Sequence, residues 1–92
     1  MKITWDEPKR IKNLEKHDLD FGDLGIEFFS DALIIDARRP RLKAIGVLYE
    51  DVVAVIFVAL GAEGISLISL RPASGKERNL YAQHHAKIPY AH

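Results

Sequence analysis

The stretch R-L-K-A-I-G-V-L-Y-E-D-V-V-A-V-I-F-V-A-L, Arg41 to Leu60, decides the fold. It is rich in β-branched and aliphatic residues, and its two strand-length runs, Arg41 to Tyr49 and Val52 to Leu60, flank Glu50-Asp51. That spacing predicts a hairpin with a two-residue turn lacking the favoured glycine. Val52 to Leu60 is apolar on both faces, as expected of a central strand covered by helices on at least one side. Downstream, Gly61-Ala62-Glu63-Gly64 is the next turn and I-S-L-I-S-L-R, Ile65 to Arg71, the last strand; Pro72 cannot donate to a ladder and stops it. Upstream, Leu33-Ile34-Ile35 begins the same β-rich region after Ala32. Turns this short make the neighbouring strands antiparallel.

The flanks are helical. Ile3 to Trp5 alternate like a short strand, then Asp6 stands at a cap position with Glu7 and Pro8 in the first turn of a helix reaching about His17. Its apolar stripe, Ile11 and Leu14, is narrow, so most of that helix is expected to be wet. Asp20 opens a second capped segment, D-F-G-D, running as a short helix through Leu24 to Phe28 and Phe29. After Pro72, Ser74 and Glu77 form a capping box, S-x-x-E, for a C-terminal helix through Tyr81, and the tail Ala86 to His92 is expected to be frayed or partner-dependent. The order predicts an α+β fold: an antiparallel sheet of four to five strands with two N-terminal helices and one C-terminal helix.

At 92 residues, with 48% hydrophobic and 28% charged, the chain has the composition of one globular domain, 1–92, and not of a disordered segment. It has no cysteine, which excludes disulfides, thiolate nucleophiles and cysteine zinc sites and suits a cytoplasmic location. The longest apolar run, Val52 to Leu60, is far short of the ~20 residues of a membrane helix, and no apolar signal core follows Met1. A membrane or secreted role is therefore not expected.

Net charge is zero but unevenly distributed. Asp23, Glu27, Asp31 and Asp36 lie in a stretch without a base; Arg38, Arg39, Arg41 and Lys43 then face only Glu50, and Arg71, Lys76, Arg78 and Lys87 face only Glu77. A phosphate-binding protein gathers such basic blocks on one face, although most charge clusters are solvated surface. The junction R-P-A-S-G-K-E-R-N-L-Y, Arg71 to Tyr81, is the most suggestive place, because a helix N-terminus offers free N–H groups and a positive dipole end beside Arg71, Lys76 and Arg78. Cleaving RNA without metal requires a base for the 2′-OH, an acid for the leaving 5′ oxygen and cations around the phosphorane charge. Glu77 is a candidate base, Tyr81 or a histidine a candidate acid, and Arg71 with Arg78 a bidentate clamp. Each also has a structural reading: Glu77 as the third residue of its capping box, the arginines as surface charges.

His17, at the end of the first helix, suits either acid–base work or the helix dipole. His84 and His85 follow Tyr81 closely, but adjacent histidines point apart on a helix and no third ligand is evident, so no metal is expected. The acids Asp6, Glu7, Asp20 and Asp23 sit where helix N-termini favour them. Without a phosphate loop, nucleophile elbow or dinucleotide fingerprint, no cofactor is expected either.

Four segments in order, I-T-W-D-E-P-K-R-I-K-N-L-E-K-H, D-F-G-D-L, R-L-K-A-I-G and I-S-L-I-S-L-R-P-A-S-G-K-E-R-N-L-Y, together resemble the BrnT family across roughly Ile3 to Tyr81. The resemblance implies a RelE-like fold and a cytoplasmic ribonuclease toxin of a type II toxin–antitoxin system, working without metal. It also implies a hetero-oligomer with a BrnA-type antitoxin, through which alone operator DNA would be bound. Toxin function would carry over onto Arg71, Glu77, Arg78 and Tyr81, and onto His17 and Arg41; the basic blocks read above add Lys43 and Lys76 to Arg41 as RNA contacts. The chain departs from the family pattern at Asp18, where glycine is usual, and at Pro40, where an acid is usual. Those departures and the zero net charge support a second reading, an inactive homologue that stabilises an antitoxin-type repressor.

Overall fold

The computed structural model describes residues 1–87. Its elements are β1 (Lys2–Trp5), α1 (Glu7–His17), a 3-10 turn (Phe21–Asp23), α2 (Ile26–Asp31), β2 (Leu33–Asp36), β3 (Arg41–Leu48), β4 (Asp51–Leu60), β5 (Gly64–Pro72) and α3 (Gly75–Lys87). The α+β class and three helices match the expectation. The sheet, of order β1-β5-β4-β3-β2, is mixed: β2 to β5 form the antiparallel meander, whereas β1 pairs parallel with β5, Ile3 opposite Ile65 and Trp5 opposite Leu67. Short turns dictate direction only between strands they join, and β1 meets its partner across the length of the chain. β4 is the central strand.

Local geometry departs from the sequence reading at four points. The β3–β4 turn is centred on Tyr49-Glu50, one residue earlier than Glu50-Asp51, with φ of 53° and 66° and Leu48 paired to Asp51. Positive φ at both central residues is the backbone of a type I′ turn, here built without glycine. The D-F-G-D segment splits: Asp20 caps the 3-10 turn through a 2.9 Å bond from Gly22 N–H, Leu24 is extended, and α2 restarts at Ile26. Asp6 is at the cap position of α1 but its side chain accepts no capping bond. Ile11 is 45% exposed, and the inward side of α1 is instead Arg10, Asn13, Leu14 and His17, centred on a buried asparagine. Asp18 ends α1 in the left-handed conformation, φ 57°, where the glycine of the BrnT pattern would be unstrained. Of the expected tail, Ala86 and Lys87 are helical and the rest lies outside the described residues.

One face of the sheet carries the core. Val53, Val55 and Phe57 of β4 alternate onto it with Ala44 of β3 and Ile65, Leu67 and Leu70 of β5, beneath Phe21, Leu24 and Phe28. At Gly46 an added Cβ would stand 2.9 Å from Phe28 and 3.3 Å from Ala32, so glycine is what allows α2 its close approach to β3. The opposite face bears α3 over Ile45 and Ala54, both fully buried.

A β-bulge in β5 sets the faces. Leu67 pairs with Phe57 and Ser69 with Ile56, leaving Ile68 as the extra residue. The shift returns Leu70 to the core face and turns Ser69 and Arg71 to the other; uninterrupted alternation would have aimed Arg71 at the core.

Candidate functional site

Two strands and one helix end converge on Glu77. Arg71 of β5 and Ile45 of β3 are register neighbours of Ala54 on β4, and Lys43, two residues before Ile45, shares their face. From above, the first turn of α3 lowers Glu77, 5% exposed, between the two cations. Arg71 forks onto it with Nη1–Oε1 2.7 Å and Nη2–Oε2 2.9 Å, and Lys43 Nζ reaches Oε2 at 2.7 Å. The capping box is complete as well: Ser74 N–H donates to Glu77 Oε1 at 2.8 Å, and Glu77 N–H to Ser74 Oγ at 3.2 Å. One carboxylate thus ends a strand, starts a helix and fixes two cations.

These contacts set the proton affinity. The Arg71 fork, then Lys43 and the Ser74 amide, hold the Glu77 carboxyl far below the usual carboxylate range despite its burial. It stays charged at any physiological pH, which disfavours it as a proton acceptor and suits it to orienting the cations. Arg71 keeps N–H groups beyond those given to Glu77, and Lys43 keeps further ammonium protons, so both can still donate to an anion on the open side. Gly75 borders open space there, and Lys76 is exposed beside it.

The other candidate residues are distributed around this cluster. Arg41, exposed, is two residues from Lys43 on the same face of β3. Arg78 is tied down, Nη2 to Asp51 Oδ1 at 3.1 Å and Nε to the Ala73 carbonyl at 3.3 Å, and so braces the β3–β4 turn against α3. Tyr81, one helical turn beyond Glu77, is buried, stacks its ring with His85 and lines a cavity of about 310 Å³ with Asp23, Glu27, Asp31 and Tyr49. Burial, with Asp31 nearby, raises its hydroxyl's pKa, so it keeps its proton. His17 is at the end of α1, in a groove with Ser69, which precedes Arg71 by two residues on one face of β5.

Sequence reading missed Asn13. Its amide donates to the Leu70 carbonyl at 2.8 Å and its Oδ1 accepts the Leu70 N–H at 3.0 Å, while the amide also reaches the Leu19 carbonyl at 3.1 Å. β1 ends at Trp5, opposite Leu67, so Leu70 has lost its strand neighbour and the side chain of Asn13 replaces it. The neighbour of Arg71 is thereby fastened to α1. No group of three or more possible metal-binding side chains occurs among the described residues. No helix among them is long and apolar enough to cross a membrane.

A partly exposed cationic pair on the sheet face that bears α3, locked by a carboxylate from the first turn of that helix, defines a small α+β protein with a cationic site. Residues 5–77 match the family model described as ribonuclease toxin, BrnT, of type II toxin–antitoxin system. The crystal structure of the Brucella abortus ribonuclease toxin BrnT superposes with a TM-score of 0.76 at 51% identity, over 80% of this chain and 97% of that one. No curated protein matches. The chain belongs to the BrnT family of ribonuclease toxins of type II toxin–antitoxin systems, and an antitoxin is therefore its partner.

Proposed function

We propose that this toxin cleaves RNA without a metal ion, at the Arg71–Lys43–Glu77 cluster. The observation that carries the reading is the doubly paired, buried Glu77, which holds two partly exposed cations at fixed spacing beside the start of α3. Arg71 and Lys43 stabilise the charge that grows on the phosphate oxygens as the 2′-oxygen attacks phosphorus and the 5′-oxygen leaves. Glu77 positions them. Arg41 and Lys76, exposed on either side, hold flanking phosphates. His17, reached along the face that Ser69 and Arg71 share, takes the proton of the attacking 2′-hydroxyl, and the leaving 5′ oxygen takes a proton from water. Tyr81, still protonated, supplies a hydrogen bond, and Arg78 holds the scaffold. The antitoxin is of BrnA type, silences the toxin in the cytoplasm as a hetero-oligomer and carries any operator binding. The chain is a single domain.

Cleavage of free RNA by purified protein in EDTA tests this. Wild type is expected to cleave, and Arg71→Ala, its fold verified by thermal melting, to lose on the order of 10²–10³ in rate, as when one oxyanion donor is removed. Full activity in the folded Arg71→Ala protein removes Arg71 from the mechanism. Cleavage that needs added Mg²⁺ overturns metal independence, and no cleavage of free or ribosome-bound RNA favours the inactive homologue.

A further inference from the structure

Beyond the Glu77 cluster, α1 carries a second cationic feature. Lys9, Lys12 and Lys16, at helical spacings of three and four, line a groove of about 330 Å³ with Asn13 and His17, facing Ile68 and Ser69 of β5. The groove has no carboxylate in its lining, and none of the three lysines forms an ion pair among the described residues. Uncompensated like charges along one helix face repel one another, and an anionic polymer would relieve that repulsion.

The groove is built into the fold next to the proposed cleavage site. The bulge at Ile68 supplies its β5 wall, and the same shift of register turns Arg71 to the face that bears Lys43. Asn13, between Lys12 and the groove floor, is bonded through both amide atoms to Leu70, the residue before Arg71. The lysine row therefore keeps a fixed height relative to Arg71. From Lys9 to Lys16 the row runs about 10 Å along the helix axis, at ~1.5 Å per residue. That is roughly three nucleotides of stacked strand at ~3.4 Å each.

We propose that this groove is a phosphate track that grips the RNA strand beside the bond addressed by Arg71 and Lys43; the inference rests on the ribonuclease reading. The lysines contact successive backbone phosphates, and Ile68 packs against ribose. RNA suits the groove because its charges line up as a row that continues through Ser69 to Arg71, so one strand contacts both.

The test compares wild type with Lys9→Gln/Lys12→Gln/Lys16→Gln, using a 4-nucleotide and a 12-nucleotide RNA, by fluorescence anisotropy across a salt series and by steady-state cleavage. Wild type is expected to bind the longer RNA more tightly. The variant should lose that advantage: its slope of log affinity against log salt falls by about 2, from ~0.7 per lost phosphate contact to a single strand. KM for the longer RNA should rise on the order of tenfold, while kcat and cleavage of the short RNA stay unchanged. A structural role for α1 would instead lower kcat on both. A variant with wild-type slope and KM on the longer RNA overturns the track. So does tight, lysine-dependent binding of a poly-aspartate decamer with RNA binding unaffected, which would assign the groove to an acidic protein segment. Because anisotropy needs no cleavage, an inactive wild type defeats the ribonuclease reading while the slope still decides the track.

Discussion

At the scale of single residues, Asn13 and Glu77 connect the elements, and each satisfies groups that the backbone leaves over. Asn13 pairs with both backbone groups of fully buried Leu70, where no strand is available. Asn13→Leu leaves a buried N–H and C=O without partners and is expected to lower stability by about 2–4 kcal/mol in denaturant unfolding. Asn13→Asp should also destabilise, because a carboxylate can accept from Leu70 N–H but repels its carbonyl; wild-type stability in either variant would show the clamp to be dispensable. Glu77 has a folded-state pKa lowered from 4.5, so its stabilisation is complete above that unfolded value and is lost as pH falls below it. Glu77→Gln keeps the capping-box hydrogen bonds but removes the charge. The stability gap between wild type and Glu77→Gln should therefore be constant at neutral pH and shrink steadily below about pH 4.5. A gap independent of pH would dissociate the depressed carboxyl from stability. The capping box was legible because S-x-x-E is a local pattern, and so was the cationic character of the junction. The third partner of Glu77, Lys43, is 34 residues away and was found as a charge, not as a contact; Asn13 and Leu70, 57 apart, left no periodic trace at all.

At the scale of elements, the strands were legible from their β-branched runs, but the turn between β3 and β4 was not. The sequence Tyr49-Glu50-Asp51 contains no glycine to mark the residues with positive φ, and a shift of one residue costs nothing in local pattern. The pairing of Leu48 with Asp51 is fixed by which side chains reach the core. Glu50→Gly removes a left-handed strain of about 1 kcal/mol and is expected to raise stability by somewhat less, since glycine also costs entropy. In the other direction, Gly46→Ala places a methyl 2.9 Å from Phe28 and should destabilise by about 1–3 kcal/mol, measurable as a lower midpoint at unchanged m-value. The bulge at Ile68 did leave a signal: apolar residues at 65 and 67 and then at 68 and 70 change phase within I-S-L-I-S-L. Only the need to bury Leu70 turns that phase change into the orientation of Arg71.

At the scale of the molecule, zero net charge sums two separated fields. Asp23, Glu27 and Asp31 gather at the cavity under the β3–β4 turn, and the β3 residues that line it stand two strand spacings, about 10 Å, from the β5 residues that line the lysine groove of α1. At physiological ionic strength charges interact over ~8 Å, so RNA in the lysine groove is largely screened from the acidic side; at 0.01 M salt the range is ~30 Å, comparable with the 40 × 30 × 26 Å extent of the molecule. Affinity in the cell then depends on local cations and not on the total. Replacing Asp23 and Asp31 by Asn and Glu27 by Gln makes the net charge +3, by removal of three acids from a balanced chain. RNA affinity of that variant is expected to match wild type within about twofold at 0.15 M salt and to exceed it several-fold at 0.01 M. Equal enhancement at both salt concentrations would mean that the strand runs on past Tyr81 into contact with the acidic residues, and its path would have to be redrawn across α2.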